Sequence, residues 1–183
     1  MTTRRIAVIV GSLRKDSFNR KLADALAERA PETLSLHSVE IGDLPLYNQD
    51  DDASPHPNVV RFKREIEQAD GVLFVTPEYN RSISGVLKNA LDHASRPYGE
   101  SVWAGKPAGV AGVSVGAIGT AAAQQHLRTI LAYLDMPTLG QPEMFLKADA
   151  VFDDAGALRD DSTAFIDTWL KRYAGWVAQH VGA

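Results

Sequence analysis

Short apolar runs that alternate with longer amphipathic stretches constrain this chain more than any other feature. IAVIV (6–10), GVLFVTP (71–77, bounded by Pro77) and the small-residue run PAGVAGVSV (107–115) show little polar alternation. A strand that is apolar along its length is buried on both faces, as in a parallel sheet covered by helices. Between these runs, apolar residues recur at helical spacing. Phe18, Leu22, Ala25 and Leu26 mark one helix, which Pro31 ends. Val59, Val60, Phe62 and Ile66 mark a second, residues 85–94 a third, and residues 120–134 a fourth, with Leu127, Ile130, Leu131 and Leu134 on its apolar side. LSLHSVEI (34–41) alternates and reads as a half-exposed edge strand. EMFLK (143–147) reads as the last strand, and Phe165, Ile166, Trp169, Leu170, Tyr173 and Val177 as a closing helix. The order βαβαβαβαβα predicts an α/β fold: a three-layer, doubly wound, parallel five-stranded sheet in the order 2-1-3-4-5. At 183 residues, the whole of 1–183 is expected to form one domain.

Ligands of such sheets sit beyond the carboxyl ends of the strands. That rule nominates three loops: 11–19, 77–85 and 114–119. The first, GSLRKDSFN, runs from a strand into a helix N-terminus, which carries unpaired N–H groups and about half a positive charge. Phosphate suits such an end. Ser12 and Ser17 offer hydroxyls, Asn19 an amide and Arg14 paired charge-assisted bonds. The loop is neither GxxxxGKS nor GxGxxG, which argues against a nucleoside triphosphatase and against a dinucleotide lying across the first turn. It resembles a seat for one phosphate monoester. The plainer reading is that Ser17 caps the helix and Arg14 is solvated. In the second loop, Pro77 ends a strand; Glu78, Tyr79 and Asn80 follow, then Ser82, Ser84 and Gly85. An aromatic beside a polar turn suits a flat, partly polar ring, although a surface tyrosine with an asparagine turn looks the same. In the third loop, Ser114, Gly116 and Gly119 allow backbone to approach a ligand, or simply form a glycine-bearing turn with Thr120 as cap.

Composition narrows the function. The chain has no cysteine, which removes disulfides and thiolate chemistry and fits a reducing, cytoplasmic setting. The two N-terminal arginines and the five apolar residues after them lack a signal-peptide pattern. No apolar run approaches the roughly 20 residues of a membrane span, so no membrane partner is expected. A net charge of −4 speaks against nucleic acid. The histidines at 37, 56, 93, 126 and 180 have no metal-ligand spacing, and no metal is expected. Asp50, Asp51 and Asp52 read as a solvated loop. No Ser/His/Asp or paired-carboxylate constellation is present, so no obligatory catalytic side chain is nominated.

GSLRKDSFNRKLADAL, LPLYNQDDD, TPEYNRSISGVLKNALDHASRP and GKPAGVAGVSVGAIGTAAAQQHLR together resemble the NADPH-dependent FMN reductase family, over about residues 6–145. That resemblance implies a flavodoxin-like fold and an FMN-dependent NAD(P)H oxidoreductase. The reaction would be ping-pong, with hydride passing from NADPH or NADH through FMN. The small-molecule acceptor would be a quinone, azo compound, chromate or free flavin. It implies that Ser12, Arg14, Ser17 and Asn19 hold the FMN phosphate with Phe18 nearby. Pro77, Glu78, Tyr79, Asn80 and Ser82 would lie at the flavin ring, with backbone N–H groups near them stabilising negative charge, and 114–119 would close its other side. It also implies a homodimer or homotetramer. Arg81 and Arg96 are placed near the flavin loops, as nicotinamide-phosphate contacts or as surface arginines. The competing readings are a flavodoxin-type electron carrier and a flavin-based redox sensor, neither turning over nicotinamide.

Overall fold

The computed structural model describes residues 2–181. Five parallel strands, β1 (Arg4–Val10), β2 (Leu34–Ser38), β3 (Gly71–Val75), β4 (Ala108–Ser114) and β5 (Met144–Lys147), form a sheet in the order β2-β1-β3-β4-β5. This is the doubly wound, flavodoxin-like order expected from the sequence. One face carries α1 (Phe18–Glu28) and α6 (Asp160–Val181); the other carries α2 (Pro57–Glu67), α3 (Gly85–Ala94) and α4 (Ala121–Tyr133).

The uninterrupted apolar run of β1 is explained by its two faces. Ile6, Val8 and Val10 pack with Leu22, Leu26, Trp169 and Tyr173 on one side. Ala7 and Ile9 pack with Phe62, Phe74, Leu87 and Trp103 on the other. Each large side chain so buried contributes about 1.5–3 kcal/mol before conformational entropy is set against it. The small residues of β4 have a separate cause. A Cβ at Gly109 would lie 2.8 Å from Trp169 Cη2 and 2.9 Å from Tyr173 Cε2, so the glycine admits the stacked aromatic pair of α6. A Cβ at Gly112 would run into Thr120 Oγ1 and the Thr76 carbonyl.

The structure departs from the expected elements in four places. The second strand stops at Ser38, although Val39 still donates to the Val8 carbonyl at 2.9 Å and Ile41 is buried beyond the strand. A one-turn helix, α5 (Ala148–Val151), and a turn closed by Phe152 and Leu158 follow β5. Val60 and Phe165, assigned to apolar faces by spacing, are exposed. Thr120 occupies the cap position of α4 but makes no capping bond with its side chain.

Candidate active site

The first loop leaves the sheet at Gly11, whose N–H donates to the Val75 carbonyl at 2.9 Å. A Cβ there would sit 3.1 Å from Pro77 Cδ and 3.2 Å from Ser84 Oγ, so the glycine lets the first and second loops touch. Ser17 caps α1: its Oγ accepts from Arg20 N at 3.3 Å. The N–H groups of Phe18 and Asn19 have no protein acceptor among the described residues. Ser12 and Ser17 are 6% and 2% exposed. Capping uses a lone pair of Ser17 Oγ and leaves its O–H to donate, so capping and anion binding are compatible. Arg14 lies 5.6 Å from the Phe18 ring centroid and donates to the Asp16 carbonyl at 2.6 Å.

Asn19 has a task that the sequence did not reveal. It is 4% exposed; its Nδ2 donates to Val113 O at 2.9 Å and its Oδ1 accepts from Val113 N at 3.0 Å. β3 has ended by this point of β4, and the carboxamide supplies the backbone pairing that Val113 would otherwise lack. One Nδ2 hydrogen remains for a ligand.

The second loop is a tight two-residue turn. Tyr79 and Ser82 exchange both backbone hydrogen bonds, at 2.9 and 3.0 Å, and the central residues Asn80 and Arg81 have φ of 51° and 65°. Positive φ at both centres is the signature of a type I′ turn. Ser84 then caps α3 by accepting from Leu87 N at 3.3 Å. The Glu78 side chain is only 8% exposed. Its Oε1 accepts from Arg81 Nη1 at 3.0 Å, and its Oε2 accepts from Ala123 N at 3.1 Å. Ala123 is the third residue of α4, so Glu78 caps α4 from another loop, the role expected of Thr120. A second brace is the 3.0 Å hydrogen bond between Ser82 Oγ and His126 Nδ1.

In the third loop, Ser114 Oγ donates to the Gly119 carbonyl at 2.5 Å and accepts from Gly116 N at 3.1 Å. Gly119 has φ of 60°, and a Cβ there would sit 2.8 Å from Leu146 N, so glycine is required. Gly116 carries no such constraint: a Cβ would meet only Ser114 Oγ, at 3.5 Å. Between the second and third loops lies a cleft of about 370 Å³, lined by Glu78, Asn80, Arg81 and residues 114–119. Pro77 is buried beneath it, and the Tyr79 ring is half exposed.

Of the two arginines noted in the sequence, Arg81 lines the cleft and Arg96 does not. Arg96 lines a separate cavity of about 240 Å³ with Tyr47, Lys63 and His93. Loss of solvation, then the Asp52 carboxylate, push the Tyr47 hydroxyl up from its ordinary pKa, against the opposing pull of Arg96.

A parallel sheet with an oxyanion seat and a facing pair of loops at its carboxyl edge defines a flavodoxin-like nucleotide-binding protein. Residues 4–150 match the family model described as NADPH-dependent FMN reductase. The 2-hydroxy-1,4-benzoquinone reductase of Burkholderia sp is 57% identical over 176 residues, covering 94% of this chain and 96% of that protein. A quinone reductase of Pseudomonas putida is 53% identical, covering 94% of each. The structure of FerB, a flavoenzyme NAD(P)H:(acceptor) oxidoreductase from Paracoccus denitrificans, superposes with a TM-score of 0.90 at 43% identity, over 97% of this chain and 99% of that one. The chain belongs to the NADPH-dependent FMN reductase family and is an NAD(P)H-dependent reductase of the FMN and quinone reductase type, with FMN as cofactor. These matches favour a reductase over an electron carrier or sensor without nicotinamide turnover. The residues present fit FMN: buried hydroxyls and unpaired N–H groups suit a phosphate, and the cleft between the two braced loops suits a flat ring.

Proposed function

We propose that this chain is an NAD(P)H:quinone reductase of the benzoquinone class, formed by one domain over residues 1–183. The observation that carries this reading is the convergence of the anion seat at 11–19 with the braced cleft between 77–85 and 114–119. In this reading Ser12, Arg14, Ser17 and the N–H groups of Phe18 and Asn19 bind the FMN phosphate, with the Phe18 ring alongside. Pro77, Glu78, Tyr79, Asn80 and Ser82 form one wall of the ring site; Ser114, Gly116 and Gly119 form the other. Bound there, FMN would supply two-electron redox chemistry between NAD(P)H and the acceptor.

The protein's part is orientation. Glu78 and His126 hold the second loop against α4, and the Ser114–Gly119 bond fixes the third. Unpaired backbone N–H groups at 115, 117 and 118 provide fixed donors for negative charge without any side-chain acid. Donor and acceptor share one cleft, which gives ping-pong kinetics. The exposed Leu46, Tyr98 and Tyr133 fit a homodimer or homotetramer that would cover them, testable by sedimentation. Among the described residues no helix is long and apolar enough to cross a membrane, consistent with the cytoplasmic setting proposed here.

The test is anaerobic stopped-flow absorbance of FMN-loaded protein. NADPH or NADH should bleach the visible band and 1,4-benzoquinone should restore it. Steady-state velocities should give parallel double-reciprocal lines. Failure of both nicotinamides to bleach the band would refute the reading. An assay panel including an azo dye, chromate and free flavin ranks these acceptors against quinones.

A further inference from the structure

The second loop carries an arginine where its backbone favours glycine. A type I′ turn is built most easily by Asn-Gly, because its second central position has positive φ. Here that position is Arg81, with φ of 65°. Backbone strain of this kind persists where the side chain is needed at that point. The Arg81 side chain is 72% exposed and carries the one positive charge among the residues lining the cleft. It donates one Nη1 bond to Glu78 at 3.0 Å, which leaves the remaining guanidinium donors for a ligand. The Glu78 carboxylate also faces the N-terminus of α4 through Ala123 N, so a ligand that takes Arg81 does not leave that carboxylate bare. Elsewhere the rim presents exposed Val115 and Ile118 beside the neutral Asn80, and the N–H groups at 115, 117 and 118 add no negative charge.

We infer that Arg81 is a specificity-determining residue for the acceptor, selecting quinones that carry an ionised ring hydroxyl over neutral quinones of the same size. This rests on the quinone reductase reading above. A hydroxyl on the quinone ring is a vinylogous carboxylic acid and is ionised at neutral pH. Its charge is shared between the C2 and C4 oxygens, and the planar guanidinium fork can meet the charged C2 oxygen together with the neighbouring C1 carbonyl. In the reaction NAD(P)H is oxidised to NAD(P)⁺. The quinone gains that hydride equivalent and a proton from solvent, becoming a hydroquinone. The added oxygen keeps its negative charge beside Arg81 or takes a second proton on release.

The experiment compares 2-hydroxy-1,4-benzoquinone with 2-methoxy-1,4-benzoquinone, a neutral analogue of nearly the same shape. Oxidised FMN-loaded protein is titrated with each while the flavin absorbance is followed, and kcat/KM is measured for each with NADPH. Arg81→Gly and Arg81→Gln should lower the hydroxy-to-methoxy ratio about tenfold or more, in both affinity and kcat/KM. Arg81→Lys should keep part of it. Arg81→Gly relieves the positive-φ strain and should melt no lower than the parent, so loss of fold does not account for the change. A ratio within twofold of the parent in both variants overturns the inference. So does an unchanged ratio with a raised KM for NADPH, which would assign Arg81 to the dinucleotide. If the parent turns over neither quinone, the quinone reductase reading fails, and the affinity ratio still decides on Arg81.

Discussion

Replacing Tyr173 by phenylalanine should stabilise the protein. Tyr173 lies on α6 and is fully buried between Gly71 and Gly109, with its ring stacked on Trp169 at 5.3 Å. Its Oη has no hydrogen-bond partner among the described residues. Burial also pushes its ionisation far above the usual tyrosine range, so the hydroxyl stays neutral. A buried hydroxyl without a partner costs about 1–3 kcal/mol relative to its removal. Deleting one oxygen forfeits a few contacts worth about 0.1–0.2 kcal/mol each. The ring, its stacking and its close fit against Gly109 survive. The net expectation is a gain of about 1–2 kcal/mol, or roughly 2–8 °C in Tm for a chain of this size. Urea and thermal unfolding, with FMN saturating in both proteins, read the difference directly. A melting point equal to or below the parent's would mean that Oη is bonded in solution, by water for instance, and the reasoning would be wrong.

Asn19→Leu should cost about 2–4 kcal/mol, because it strands the buried N–H and carbonyl of Val113; equilibrium unfolding checks it, and a loss near zero would show that the pairing is dispensable. Glu78→Ala should cost about 0.5–2 kcal/mol through the lost cap of α4 and should weaken FMN binding. Glu78→Gln keeps an oxygen for Ala123 N and should restore most of both, as read by FMN fluorescence titration. Asp167→Asn removes the negative charge and one of the two 2.7 Å bonds from Arg29 that tie α6 to α1. The Arg29 hydrogen bond holds the Asp167 carboxyl below its ordinary range. The pair therefore stabilises the fold at neutral pH, and its contribution is lost as pH falls below about 4. Thermal melts should show a gap between parent and variant at pH 7 that closes in acid.

What the sequence disclosed is what depends on periodicity. Ile6–Val10 and Gly71–Val75 had to be buried on both faces, which implied a covered parallel sheet and, with it, the edge where a ligand sits; the strand order followed from the flavodoxin-like resemblance. The loops carrying Ser12, Ser17, Tyr79 and Ser114 follow from that topology. Bonds joining residues far apart in the chain were not legible. Ser17, Thr120 and Ser84 all look like helix caps by position, yet Thr120 makes no such bond and Glu78 replaces it from 45 residues away. Asn19 looked like a phosphate donor because polar residues at a helix N-terminus usually face ligand; its main bonds go to β4. Val60 and Phe165 missed their faces because spacing fixes an apolar stripe to within about a residue and no better.

The two braces on α4 also bear on how firmly the walls of the cleft are set. Glu78 binds the first turn of α4 and Ser82 binds His126 one turn further along, so the turn at 79–82 is held at both ends against a helix that packs on the core. Opposite it, Gly119 is locked against β5 and Ser114 closes the loop on itself. The walls are thus set before any ligand arrives, and the backbone donors need no rearrangement as charge develops. Exposed at the rim are Tyr79, Asn80, Arg81, Val115 and Ile118. Under the proposed function, choice of acceptor and hold on the flavin would therefore belong to different atoms. Substitutions at the rim should alter which acceptor is used, whereas substitutions at Glu78, Asn19 or Gly119 should alter whether FMN is held at all.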